Sequence, residues 1–357
     1  MSRTILIMAG GTGGHVFPGL AVAEELRGRG WNVVWMGSRG GMEARLVPAR
    51  GYSTAWIRAV ALRGRGLAAR LLLPLNLLVG LWQSARAIFR IRPDVVLGMG
   101  GYVAFPGGMM ASLLARPLVV HEQNAIAGLA NRVLGPLADR VLIAFPGALE
   151  KAEWTGNPVR AEIATLGEPA ERYGMRSGPL RVLVVGGSLG AQALNQALPR
   201  ALAGIDPAAR PRVVHQSGER NLAALRAGYA AAGVEGELLA FIDDMAARYA
   251  EADLVICRAG AMTVAEISAG GLASVLVPYP HAVDDHQTAN ARFLADKGAA
   301  ILLPQSELNP ARLAGLLRTL ERAQLLDMAR KARALGRPDA TRVVADRCEA
   351  LAAGKGA

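Results

Sequence analysis

The chain has 357 residues, 52% of them hydrophobic and 19% charged, which allows two ordinary cores and excludes a disordered chain. Two cysteines, Cys257 and Cys348, cannot build a disulfide framework, and no charged n-region precedes a short apolar stretch and cleavage site, so a reducing cytoplasm is expected. The net charge of +11 sits early: residues 1–158 hold 17 Lys/Arg against 8 Asp/Glu, and residues 159–357 hold 23 against 21.

The first apolar run, Thr4–Ala9, is followed by GGTGGH (Gly10–His15) and then a helical pattern. Such a run reads as a buried parallel strand, and a glycine turn behind it lets backbone N–H groups approach an anion at the next helix N-terminus. Strand-like runs at Asn32–Met36, Asp94–Gly98 and Pro117–His121 alternate with helical stretches, the pattern of a doubly wound parallel sheet. Each run ends at a polar or glycine-rich turn: GGTGGH, GSRGG (Gly37–Gly41), MGGYVAFPGG (Met99–Gly108) and HEQN (His121–Asn124). Ligands of such sheets bind beyond the carboxyl ends of the strands, so these turns are expected to line one cleft.

Between them, Ala44–Pro93 carries nine arginines and no acidic residue. It encloses LLLPLNLLVGLW, in which Leu71, Leu72, Leu75, Leu78 and Trp82 form a greasy patch. A stretch interrupted by Pro74 and Asn76 cannot cross a hydrocarbon layer that needs about 20 residues. It either lies in an interface with arginines against an anionic membrane surface, or is a core helix in a chain whose basic residues are 36 Arg of 40. The stretch has few aromatics for stacking, so no nucleic acid partner is expected.

TGNPVR (Thr155–Arg160) and the loose stretch to Pro179 read as a connection. The expected domains are residues 1–157 and 158–340, with an alanine-rich basic tail, 341–357, fraying from helix into disorder. The second half repeats the scheme with runs at Arg181–Val185, Arg212–His215, Leu238–Ile242, Leu254–Cys257, Ser274–Val277 and Ala300–Leu303, and a second glycine loop, GGSLGA (Gly186–Ala191), after the first of them. The fold class is therefore α/β: two Rossmann-like doubly wound parallel-sheet domains facing a cleft.

A dinucleotide fold wants an acidic residue closing the second strand, about 20 residues after the loop, and NVVWMGS (Asn32–Ser38) has none. Neither loop carries Lys and Ser/Thr in the Walker frame. Phosphate binding by backbone amides survives, while dehydrogenase and ATPase chemistry do not.

GGTGGHVFPGLAVAEEL, VLGMGGYVAFPGG, HEQNAIAGLANR, AFPGA, TGNPVR, VLVVGGSLGA, FIDDM, CRAGAMTVAE and VPYPHAVDDHQTANA, in this order from Thr4 to Thr341, resemble the family of undecaprenyldiphospho-muramoylpentapeptide N-acetylglucosaminyltransferases. The resemblance implies a GT-B glycosyltransferase fold with the lipid acceptor on the first domain and UDP-N-acetylglucosamine chiefly on the second. It implies an inverting transfer to undecaprenyl-diphosphate-MurNAc-pentapeptide at the cytoplasmic face of the inner membrane, giving lipid II, by a peripheral protein. Other readings are a UDP-N-acetylglucosamine 2-epimerase, a diacylglycerol glycosyltransferase, and a non-enzymatic nucleotide sensor or nucleic-acid binder.

Such a transfer needs a base and a place for the charge of departing UDP. His15, of near-neutral ordinary pKa, takes the acceptor proton, orients the acceptor diphosphate, or merely caps its helix. His121 and Glu122 compete for the base role. Gly10, Gly11 and Tyr102 are expected on the acceptor side, Tyr102 either contacting sugar or anchoring its loop. Ser188 and its neighbouring amides are placed to hold the UDP diphosphate. Thr263 and Glu266 have capping-box spacing at a helix start formed by Gly260 and the amides after Ala261. By resemblance, Glu266 takes the ribose hydroxyls, with Ala261, Met262, Thr263, Val264 and Ala265 beside it. Resemblance further assigns Asn124 and Gln287 to the donor sugar, Arg160 to the phosphates, the Ile242 backbone to uracil, and Thr12, Gly13 and Gly14 to the donor. His286 beside Gln287 has a doubtful share. HAVDDHQ (His281–Gln287) offers possible metal ligands, but no third ligand matches and amides can hold a diphosphate, so no metal or other cofactor is expected.

Overall fold

The computed structural model describes residues 2–59, 73–187 and 190–354. They form two compact units, one ending at Arg160 and resumed from Asp339, the other spanning Ala161–Pro338.

The first unit holds a parallel sheet of β1 (Thr4–Met8), β2 (Asn32–Gly37), β3 (Ser53–Trp56), β4 (Val95–Gly98), β5 (Leu118–Glu122), β6 (Arg140–Ile143) and β7 (Glu153–Trp154) in the order β3-β2-β1-β4-β5-β6-β7. β1 is apolar after Thr4 because both sheet faces are covered: Ile5 and Ile7 enter one core cluster, Leu6 and Met8 the other. β3, β6 and β7 lie outside the runs expected from the sequence; each is four residues or fewer.

The expected tail is helical through Ala353, and its last three residues lie outside the described residues. Ala340–Ala353 is one helix, with Val344, Ala345 and Cys348 fully buried in the Ile5/Ile7 cluster. Arg29 pairs with Asp346 and Glu349 at 2.7 and 2.6 Å, and Trp31 donates Nε1–H to Glu349 at 2.8 Å. The chain thus returns to its first unit at the end.

The greasy stretch lies in the helix Leu73–Ile91; Leu71 and Leu72 fall outside the described residues. Its small face, Gly80, Ser84 and Ala87 with Ile88, packs inward, while Leu75, Leu78, Trp82 and Phe89 are 59 to 64% exposed. That excludes the core-helix reading for these side chains. Among the described residues no helix is long and apolar enough to cross a membrane.

The second unit is a parallel sheet of β8 (Arg181–Val185), β9 (Arg212–Gln216), β10 (Glu237–Leu239), β11 (Leu254–Cys257), β12 (Ser274–Leu276) and β13 (Ile301–Leu302), ordered β10-β9-β8-β11-β12-β13. β10 pairs only over Glu237–Leu239, so Ile242 lies past the strand rather than closing it. Asp244 instead caps the helix Met245–Glu251 by accepting from the Ala247 N–H at 2.9 Å.

Both sheets grow outward in two directions from a central pair, β1/β4 and β8/β11. Chain connections diverge there, leaving a crevice at the strands' carboxyl ends.

Candidate active site

In the first unit, the loops after β1 and β4 meet at that crevice. A Cβ on Gly100 would stand 3.0 Å from His15 Nδ1, and one on Gly101, whose φ is +78°, would stand 2.4 Å from the Gly10 carbonyl oxygen. Only glycine lets the loops approach so closely. The helix Gly13–Gly28 starts here without a side-chain cap at Thr12 and with no acidic residue in its first turn, leaving Gly13 and Gly14 as amide donors toward an anion.

One loop amide is already taken. Glu43, fully buried, accepts from the Gly11 N–H at 3.0 Å on Oε2, and from the Ser38 N–H and hydroxyl at 3.0 and 2.9 Å on Oε1. The Tyr102 hydroxyl lies 3.0 Å from the same Ser38 hydroxyl. An internal carboxylate therefore occupies the Gly11 amide that sequence reasoning reserved for the acceptor. Glu43 was missed because it lies in the short helix Glu43–Leu46 after β2, beyond the strand end where an acid was sought. The available signal was the surrounding glycine density: a Cβ on Gly41 would stand 2.0 Å from Glu43 Oε2.

His15 does not cap its helix. Its half-buried ring places Nδ1 2.8 Å from Gln123 Oε1, and Nε2 has no hydrogen-bond partner among the described residues. Gln123, fully buried, places Nε2 3.0 Å from His121 Nδ1 and 2.9 Å from the His121 carbonyl. The other His121 nitrogen, Nε2, lies 2.9 Å from the Gly156 carbonyl. Burial holds the His121 imidazole down to about 4, far below its ordinary 6.5. Gln123 carried no role in the sequence reading, although it stands inside HEQN.

Glu122, 2% exposed, is occupied at both oxygens. Oε1 accepts from the Asn124 N–H at 2.9 Å, and Oε2 from the Gly128 N–H at 3.0 Å and Asn131 Nδ2 at 2.8 Å. His121 and Glu122 thus face inward from the strand end rather than outward. Asn124 does not cap the next helix, which begins at Leu129 behind Gly128. Arg160 is exposed where the first unit ends.

In the second unit, β8 and β11 each lead into a helix with no side-chain cap and no acid in its first turn, Gln192–Ala203 and Ala261–Gly270. Ser188 lies outside the described residues. Its loop is held beside it by Gln216, which accepts from the Gly187 N–H at 3.1 Å and donates to the Gly187 carbonyl at 3.1 Å. The expected Thr263–Glu266 capping box does not form, because the helix starts three residues earlier, with Gly260 at its N-cap. Ala261 and Val264 are buried, while Met262, Thr263, Ala265 and Glu266 are half-buried. The Tyr249 hydroxyl donates to Glu266 Oε2 at 3.2 Å. Gln287 Oε1 accepts from the Tyr279 N–H at 2.9 Å, and His286 Nδ1 donates to the Val283 carbonyl at 2.7 Å.

Each unit, taken by itself, offers uncapped helix starts at the switch point of its parallel sheet that suit phosphate groups. Residues 5–143 match the glycosyltransferase family 28 N-terminal domain, and residues 181–344 match the glycosyltransferase family 28 C-terminal domain. The class is thus a two-domain glycosyltransferase. A UDP-N-acetylglucosamine–N-acetylmuramyl-(pentapeptide) pyrophosphoryl-undecaprenol N-acetylglucosamine transferase of Aromatoleum aromaticum is 68% identical over 353 residues, 99% of either chain. One of the same name from Azoarcus is 66% identical over 353 residues, again 99% of either chain. The crystal structure of Acinetobacter baumannii MurG superposes with a TM-score of 0.86 at 43% identity, covering 97% of this chain and 99% of that one. The chain belongs to this family of N-acetylglucosamine transferases.

Proposed function

We infer that the chain transfers N-acetylglucosamine from UDP-N-acetylglucosamine to the muramoyl 4-hydroxyl of undecaprenyl-diphosphate-MurNAc-pentapeptide, lipid I, giving lipid II with inversion at the sugar carbon. The observation that carries the reading is 68% identity along 99% of the chain to a transferase of that name. His15 is the base. Its Nε2 has no partner among the described residues, whereas both nitrogens of His121 and both oxygens of Glu122 are bound inside the unit. The acceptor oxygen bonds to C1 of the donor sugar as its proton passes to His15 Nε2, and the C1–O bond to UDP breaks with its electrons leaving on the diphosphate.

That charge is met by amides at the starts of Gln192–Ala203 and Ala261–Gly270 and by the Ser188 loop, with Arg160 adding charge. Glu266, oriented by Tyr249, takes the ribose hydroxyls. The Ile242 backbone meets uracil, Asn124 and Gln287 hold the donor sugar with Thr12, Gly13 and Gly14 serving the donor, and Tyr102 with Gly10 and Gly11 lies on the acceptor side. The exposed stripe of Leu75, Leu78 and Trp82, with Arg86 and Arg90 exposed farther along the helix, lies in an anionic membrane surface.

The test is UDP release by purified protein given UDP-N-acetylglucosamine and lipid I. Release that depends on both substrates is expected, and release no faster than without protein sinks the reading. His15→Ala should cut kcat by roughly 10²- to 10⁴-fold, the range of a lost general base, leaving UDP affinity in place. Wild-type turnover in that variant would remove His15 from the base role.

A further inference from the structure

We propose that Gln123 is a positioning residue that, together with His121 and the Gly156 carbonyl, fixes His15 in the Nδ1–H tautomer and leaves Nε2 as the outward lone pair. Two carbonyl oxygens decide the whole chain of bonds. A carbonyl only accepts, so the Gln123 atom 2.9 Å from the His121 carbonyl is its amide nitrogen. The amide oxygen therefore points at His15, and at 2.8 Å it requires a proton on His15 Nδ1. From the far end, the Gly156 carbonyl at 2.9 Å requires a proton on His121 Nε2. Neutral His121 then presents Nδ1 as an acceptor, which matches the Gln123 N–H donor 3.0 Å away. The two derivations start at different carbonyls and agree at Gln123.

The surroundings hold this chain rigid. Asn157 Nδ2 donates to the Gln123 carbonyl at 3.0 Å, and Asn131 Nδ2 to the His121 carbonyl at 3.2 Å. The N–H groups of Thr155 and Gly156 both reach the Ile143 carbonyl, at 3.0 and 3.2 Å, which fixes the terminal carbonyl. Burial lowers the His121 imidazole to about 4, so the chain holds its polarity at neutral pH. HEQN and TGNPVR are thereby joined to the first glycine loop by one line of hydrogen bonds within the first unit.

The inference rests on His15 being the base only for its effect on rate; the tautomer itself is independent of that reading. The experiment is ¹⁵N NMR of histidine-labelled full-length protein, with His15→Ala and His121→Asn assigning the signals. Opposite tautomers are expected in the wild type: protonated Nδ1 with bare Nε2 at His15, and the reverse at His121. Either ring in the other tautomer overturns the proposal. In Gln123→Leu, His15 should become a mixture of tautomers, and kcat should fall by roughly 10- to 100-fold, as when a partner orienting a functional imidazole is lost. KM for UDP-N-acetylglucosamine should stay within about two-fold, because the donor amides are untouched. An unchanged His15 spectrum in that variant also overturns the proposal. A changed spectrum with unchanged kcat upholds the tautomer control and removes His15 from the base role.

Discussion

Replacing Glu43 by Gln isolates the internal carboxylate that holds the first glycine loop. The two residues have nearly the same shape, so no cavity is made. Oε1 serves two donors from Ser38 and Oε2 serves the Gly11 N–H. Whichever way the Gln amide is turned, its NH₂ faces either the Gly11 or the Ser38 backbone N–H, and that buried donor loses its acceptor. A hydrogen bond to a charged group contributes about 1.5–3 kcal/mol net, and a buried unsatisfied donor costs about 1–3 kcal/mol; these overlap, so about 2–4 kcal/mol is expected. All five tryptophans, Trp31, Trp35, Trp56, Trp82 and Trp154, lie in the first unit, so intrinsic fluorescence reports the unit that carries Glu43. With a urea slope of about 2 kcal/mol per molar, the midpoint should fall by about 1–2 M. Turnover should fall as well, because His15 lies four residues beyond Gly11, in the first turn of the helix that the loop leads into. A midpoint within 0.3 M of wild type at equal slope, a change of roughly 0.6 kcal/mol, would refute the claim that a carboxylate holds this loop.

The fluorescence transition should also weaken in acid. His121 titrates at about 4 in the fold against an ordinary 6.5, so between these values the unfolded chain binds a proton the folded one refuses. Its contribution is complete above pH 6.5 and is lost as pH falls toward 4, amounting to about 3 kcal/mol; His121→Asn should flatten that part of the pH profile, and an identical slope would contradict it. His215, pushed down to about 3 by burial, predicts the same sign in the second unit, measured by hydrogen exchange along β9. Leu75→Glu with Leu78→Glu should reduce binding to anionic vesicles while the urea midpoint and UDP affinity hold, since both side chains are largely exposed; a collapsed midpoint would return the helix to the core. Gly101→Ala should cost about 1–3 kcal/mol from its positive φ alone, and more from the 2.4 Å approach to the Gly10 carbonyl; an unshifted midpoint would mean that the two loops separate freely.

How much was legible divides by range along the chain. The runs Thr4–Ala9 and Arg181–Val185 and the glycine turns behind them are strand–turn–helix units within about 20 residues, so their apolar period and punctuation announced two parallel α/β sheets. Features set by one neighbour on the sheet were not legible: β7 is two residues long and exists because β6 pairs with it. Local pattern also misled where helix register decided. Thr263 and Glu266 have the right spacing for a box, yet Gly260 starts the helix earlier.

For the site, the sequence by itself nominated the loops and the residue types proposed to supply its chemistry. It could not say which of them face a substrate. His15, His121 and Glu122 were equal candidates in sequence, and only the fold separates them, by enclosing two and leaving one nitrogen of the third without a partner among the described residues. Gln123 meets His15 across 108 positions, and Glu43 meets Gly11 across 32. Buried polar atoms must find partners wherever the packed sheet brings them, and that pairing is written in three dimensions rather than along the chain.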